Sequence, residues 1–168
     1  MKLQEINKTR YRNHLNKVIA GCIAALVIGS LGIAQALIAV FPSEQGSHFH
    51  WNLAGVVVTC LLIASVLKKY KHHDFMTEVT YVWELKKQLN HITRKMRKLK
   101  AAVDQGDVVA MQIINYSYAG SRQLWQLDDN TITMEELSVW QAELDSKARE
   151  VNVTLNANKF DPESLANY

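Results

Sequence analysis

The chain has 168 residues, with 19 Lys and Arg, 16 Asp and Glu and a formal net charge of +3. That is enough for one domain, or for a small domain with a membrane anchor. The mean hydropathy of −0.11 resembles that of a soluble protein, but 34 of the 35 charged residues lie outside residues 18–67. A chain this short cannot supply a core large enough to hide so apolar a stretch, which excludes an ordinary soluble domain for its first third.

Residues 1–17 form a basic N-terminal segment, with Lys2, Lys8, Arg10, Arg12 and Lys17 against Glu5. Val18 to Phe41 holds no formal charge. As a helix it would reach roughly 36 Å, enough to cross a hydrocarbon core of about 30 Å with some tilt. Pro42 ends it, and the short connection 42–52 contains Gly46 and no Lys or Arg. A second span runs from Phe49 or Trp51 to Leu67, and Phe41, Phe49 and Trp51 gather at one boundary, where Trp suits the headgroup layer. Residues 18–67 are therefore predicted as a transmembrane helical hairpin. Lys68, Lys69 and Lys71 follow it. Cations on both flanks and none in the loop put both termini in the cytoplasm by the positive-inside rule. Ala34-Gln35-Ala36 imitates a signal-peptide cleavage site, but the apolar run is too long and a second span follows it.

Gly21, Ala25 and Gly29 form a four-residue ladder in the first span, with Gly32 and Ala36 beyond it, and Gly55 and Thr59 match them in the second. Such faces let helices approach closely, most simply one span against the other. Neither Val18–Phe41 nor Trp51–Leu67 holds a Lys, Arg, His or carboxylate, which argues against transport by this chain alone. Cys22 and Cys60 sit inside the spans and read as small apolar packers, not as a disulfide framework.

Residues 68–150 are predicted as a cytoplasmic helical domain. Its first helix runs from about Asp74, with Asp74 or Thr77 as cap, to Val103. Val82, Leu85, Leu89, Ile92, Met96, Leu99 and Val103 recur in alternating steps of three and four, a heptad-like seam that demands a partner helix. Segment 68–103 carries a net charge of +7 and segment 104–168 a net charge of −7. No acid occurs between Lys86 and Lys100. Lys68, Lys69, Lys71, Arg94, Lys95, Arg97 and Lys98 are therefore candidate contacts for an anionic partner: phospholipid headgroups, RNA or an acidic protein surface. The alternative is a solvated basic face neutralised by the acidic distal third. Nucleic acid is disfavoured, because no basic–aromatic interleaving accompanies the charge.

Gly106 suits a left-handed turn and Asp107 an N-cap, opening a helix from about Val108 to Ala119 that can continue to Leu127. Ala102, Gly106, Asp107, Ala110, Tyr118 and Gly120 give Ala101–Gly120 a likeness to one unit of the Sel1-like helical repeats. The unit does not recur, so it reads as helix-hairpin packing. After a turn at Leu127–Asn130, Thr133 with Glu136 makes a capping box for a helix from about Met134 to Glu150. Leu137, Trp140, Leu144 and Ala148 are its predicted buried stripe. An EF-hand reading of this turn fails, because Trp125 and Leu127 fall where oxygen ligands belong. Residues 151–168 form a polar, Asn-rich tail in which Asp161-Pro162-Glu163 can start one helical turn.

His48 and His50, and His72, His73 and Asp74, are too few in each place for a closed metal site. No P-loop, GxGxxG, CxxC, HExxH or GxSxG pattern occurs. Catalytic, cofactor-binding and metal-binding residues are therefore all expected to be none. Aromatic and Arg residues gather at Tyr116, Tyr118, Arg122 and Trp125 beside Asp128 and Asp129, the composition of an interface hot spot. These six are candidate partner contacts, with bundle core as the alternative for Tyr118 and Trp125.

Several blocks carry a family likeness: EINKTRYRNHLNKVI at Glu5–Ile19, NLAGVVV in the second span, HHDFMTEVTYVWELKKQLN after it and YSYAGSRQLWQLDDNTITMEEL further on. With them the chain resembles a family of short bacterial inner-membrane proteins of unknown function (domain-of-unknown-function family 3087). That resemblance implies two membrane spans plus a cytoplasmic helical region, and no residue inherits a role from it. The expected fold is all-α, a two-helix transmembrane hairpin followed by a cytoplasmic helical bundle or coiled-coil-like hairpin. The expected function is that of a non-enzymatic multi-pass protein of the bacterial inner membrane. It would be a membrane-anchored protein-interaction or accessory subunit whose partners are the lipid bilayer and another protein or its own copies. The alternative is a membrane-proximal anionic-ligand module binding phospholipid headgroups or RNA through the basic helix.

Overall fold

The computed structural model describes residues 2–42, 48–130 and 134–168. The protein is all-α, with no strand among the described residues. Its helices are α1 (Lys8–Val40), α2 (Phe49–Tyr70), α3 (Thr77–Asp104), α4 (Val108–Leu127) and α5 (Met134–Glu150), with 3-10 turns at Asp74–Met76, Ala157–Lys159 and Pro162–Asn167. The chain divides into two compact units, Thr9–Thr80 and Met1–Lys8 with Tyr81–Tyr168. Gly46 and the Thr133 cap expected for α5 lie outside the described residues.

In the first unit, α1 and α2 are both long and apolar enough to cross a membrane. Helix α1 starts ten residues before the expected Val18, so Lys8, Arg10, Arg12 and Lys17 already lie on it. Only 6% of the apolar window of α1 and 11% of that of α2 is buried. Ile23, Ile28, Leu31, Leu61 and Leu62 all face outward. The helices meet at Gly55, where a Cβ would fall 2.5 Å from Ser30 O and 3.0 Å from Ala34 N. A second contact joins Gly29 to Thr59, whose hydroxyl donates to Gly55 O at 2.7 Å. The predicted ladder is only partly used, because Gly21 and Gly32 face open space. Phe41 stacks on Trp51 with ring centroids 5.2 Å apart. Cys22 is half-buried and Cys60 is exposed, so Cys60 packs no core.

The helix expected from about Asp74 is α-helical from Thr77, after a 3-10 turn at Asp74–Met76. His73 Nδ1 accepts the Phe75 N–H at 3.1 Å at the start of that turn. An imidazole acceptor there holds a 3-10 turn, and the α-helix begins after it. Arg10 Nε reaches the Glu78 carboxylate at 2.8 Å, and His14 stacks on Phe75 at 4.1 Å.

In the second unit, the α3 seam is buried at Val82, Leu85, Leu89, Ile92, Leu99 and Val103. Each such side chain contributes about 1.5–3 kcal/mol by leaving water. Met96 is only half-buried. Helix α4 lies deepest, with Ala110, Met111 and the run from Ile113 to Tyr118 all buried. A Cβ on Gly120 would meet Leu85 and Leu89 at 3.1 Å, so glycine lets α4 approach α3 there. Gly106 takes the left-handed conformation with φ +83°, and Asp107 Oδ1 caps α4 by accepting from Val109 N at 2.8 Å and Ala110 N at 3.1 Å. Helix α5 buries Leu137, Leu144 and Ala148. Trp140 departs from the predicted stripe and is 38% exposed. Its ring lies under the Lys100 ammonium, 5.7 Å from the centroid, and beside Tyr118. A large indole at the edge of a stripe can gain that cation–π contact only by staying at the surface.

Both ends of the chain are bound into this unit. Gln4 N donates to Tyr81 Oη at 2.9 Å, the Tyr81 hydroxyl donates to Gln123 Oε1 at 2.8 Å, and Gln123 Nε2 donates back to Gln4 O. In the tail, Phe160 stacks on Tyr116 at 4.2 Å, and the Tyr168 hydroxyl donates to Asp107 Oδ2 at 2.8 Å.

Candidate anionic interface on α3

Turning its apolar seam inward forces the basic residues of α3 onto its other faces, since all share one helical period. Arg94, Arg97 and Lys98 are exposed and have no ion pair among the described residues. Lys95 is half-buried and donates from Nζ to Leu165 O at 2.8 Å. The acids of the distal third neutralise other cations. Asp128 pairs with Lys86 at 3.1 Å, Asp129 with Lys8 and Asp104 with Lys147. Of these three pairs only Lys86–Asp128 neutralises a cation of α3, and it leaves the basic run from Arg94 to Lys98 without an acidic partner among the described residues. Lys87 is placed over the exposed Trp83, 5.9 Å from the ring centroid. Lys68 and Lys69 are exposed in the last turn of α2, and Lys71 beyond them is half-buried. These three belong to the first unit and Arg94, Lys95, Arg97 and Lys98 to the second.

The proposed aromatic surface is not assembled. Tyr116 and Tyr118 are 0% and 7% exposed, which makes them core residues and not surface contacts. Helix α4 is enclosed by its neighbours over most of its circumference, so tyrosines on it have an inner face to fill. The Tyr116 hydroxyl has no hydrogen-bond partner among the described residues, and burial, with a smaller effect of Tyr81, pushes its pKa up to about 12. Burial first and the nearby Glu143 second also raise Tyr118. Arg122 and Trp125 are half-buried, while Asp128 and Asp129 are exposed within their ion pairs.

The family model described as "Protein of unknown function (DUF3087)" matches residues 1–165. The chain belongs to this family. No curated protein and no solved structure matches it.

Within this DUF3087 member, no group of three His, Cys, Asp or Glu side chains among the described residues could hold a metal ion. Three features were not legible in the sequence. The Gln4–Tyr81–Gln123 clamp joins residues far apart in the chain, and no periodicity marks it. The tail contacts of Lys95 arise because Leu165 is buried, a position that no amphipathic pattern predicts in so short a turn. Asp107 could be read as a cap, but its second partner could not. Burial raises its pKa, yet the hydrogen bonds from Tyr168, Ala110 and Val109 together bring it below the ordinary value.

Proposed function

We propose that the protein is a non-enzymatic, membrane-anchored accessory protein whose helical body binds an acidic surface of a partner protein through Arg94, Arg97 and Lys98. The observation that carries this reading is the selective lack of counter-ions. Lys8, Lys86 and Lys147 have acidic partners, whereas these three side chains are exposed and unpaired among the described residues. Exposed like charges on one helix repel each other unless an anionic surface covers them.

The anchor is the α1–α2 hairpin in the bacterial inner membrane, with both termini cytoplasmic. The outward apolar surface of both helices supports this, since water contact there is costly and lipid contact is not. The basic flanks support the orientation. So do the bond that Gln123 donates to Gln4 O and the Lys8–Asp129 ion pair, because two crossings return the chain to the side where it began.

The test is to isolate the protein from its own membranes and size its complex at low and high salt, with Arg97→Glu/Lys98→Glu alongside. A salt-sensitive complex that the charge reversal dissolves is expected. A complex indifferent to both perturbations, or a protein that is monomeric throughout, refutes the reading.

A second reading is favoured by the exposure of Lys68 and Lys69 at the end of α2. At that position their ammonium groups meet anionic phospholipid headgroups. Lipid retained during purification should then be enriched in anionic species, and Lys68→Gln/Lys69→Gln should remove the enrichment.

A further inference from the structure

A cleft of about 360 Å³ lies between α3 and the C-terminal 3-10 turn, lined by His91, Arg94, Lys95, Pro162, Leu165 and Ala166. Its volume falls at the small end of small-molecule sites. The two walls differ in chemistry. Helix α3 supplies an imidazole, a guanidinium and an ammonium from positions i, i+3 and i+4, a spacing that puts all three on one face. The turn Pro162–Asn167 supplies apolar surface from Pro162, Leu165 and Ala166. No carboxylate among the described residues lines the cleft. Asp161 and Glu163 are near in sequence, but the Asp161 carboxylate is engaged in capping the turn through Glu163 N at 3.1 Å.

The guanidinium and the ammonium remain available for a ligand. Arg94 is exposed, with no ion pair among the described residues, and its five N–H donors form a fork suited to an oxyanion. Lys95 gives one N–H to Leu165 O at 2.8 Å, which fixes the ammonium at the cleft and leaves it two further donors.

The geometry points to a binding site for a small organic anion, a phosphate or carboxylate carried on an apolar body. The oxyanion bridges Arg94 and Lys95 with His91 beside it, and the apolar body covers Pro162, Leu165 and Ala166. This site shares Arg94 with the protein-binding face proposed above but does not depend on it, because Arg97 and Lys98 do not line the cleft.

The experiment titrates the full-length protein in detergent with phenyl phosphate, benzoate and inorganic phosphate, followed by calorimetry. Saturable single-site binding of phenyl phosphate or benzoate is expected, and the stronger of the two identifies the oxyanion. Inorganic phosphate, without an apolar body, should bind about tenfold more weakly or worse. Arg94→Gln should weaken binding about tenfold by removing charge-assisted hydrogen bonds. Ala166→Trp should abolish it by filling the cleft, and Arg97→Gln should leave it unchanged. Unchanged far-ultraviolet circular dichroism in each variant separates loss of the site from loss of the fold. The proposal is overturned if neither organic anion binds saturably, if inorganic phosphate binds as tightly, if Ala166→Trp has no effect, or if Arg97→Gln weakens binding as much as Arg94→Gln. If the partner complex is lost in Arg97→Glu/Lys98→Glu while anion binding survives Arg97→Gln, the two readings stand or fall separately.

Discussion

Gly55→Ala should loosen the α1–α2 hairpin more than any other single methyl added to its glycines. The new Cβ would lie 2.5 Å from Ser30 O, about 0.9 Å short of the 3.4 Å at which ordinary contact begins. It would also lie 3.0 Å from Ala34 N. Both are backbone atoms of one helical turn, so no side chain can rotate away and the two helices must separate. Overpacking of this kind costs about 1–3 kcal/mol. The gain in helix propensity from replacing Gly by Ala, about 1 kcal/mol in water, offsets part of it. Gly29→Ala should cost less, because its clash at 2.7 Å is with the Thr59 methyl, the end of a side chain. Gly21→Ala and Gly32→Ala meet nothing within 4 Å and should be neutral or stabilising. The assay is unfolding of the four variants in mixed micelles as the fraction of denaturing detergent rises, read by circular dichroism. The expected order of loss is Gly55, then Gly29, then Gly21 and Gly32 together. If Gly55→Ala unfolds with Gly21→Ala, the close approach of the two backbones is wrong.

In the helical body, Tyr116→Phe should be neutral or slightly stabilising in thermal unfolding, since the hydroxyl it removes is buried without a partner among the described residues. Tyr116→Ala should cost about 3–5 kcal/mol through the cavity left beside Phe160. Tyr116 and Tyr168 have folded pKa values raised to about 12 from 10.0. The unfolded chain therefore loses these protons first, and stability present below pH 10 should fall as pH rises toward 12. Tyr116→Phe should flatten that alkaline decline, as measured by midpoint temperature against pH. Asp107→Ala should cost about 1 kcal/mol from the lost α4 cap. Because the Asp107 pKa is lowered from 3.8, its contribution is present above that value and lost as pH falls below it, and the variant should show a shallower acid decline. Phe160→Ala should free the tail, detected as faster amide exchange across residues 151–168 with little change in α3.

The sequence alone determined the helices of this protein, because each rests on local chemistry. Charge-free length marks α1 and α2, a three-four alternation marks α3, and Gly106 with Asp107 marks the start of α4. The cluster of basic residues between Lys86 and Lys100 was equally plain. Tertiary structure decided which of these residues are available. Whether Tyr116 is core or contact depends on how many neighbours enclose α4, and periodicity reports one buried face but not two. Whether Gly21 or Gly55 is the close approach depends on where two helices cross, which a repeating ladder of small residues leaves open. Which cations are neutralised depends on where Asp104, Asp128 and Asp129 lie in space, and these sit at turns whose placement is set by the whole bundle. The tail looked polar because its two buried anchors, Phe160 and Leu165, are separated by too few residues to show a period. Folding Leu165 against Lys95 is what turns a basic stretch of sequence into a cleft with one charged and one apolar wall.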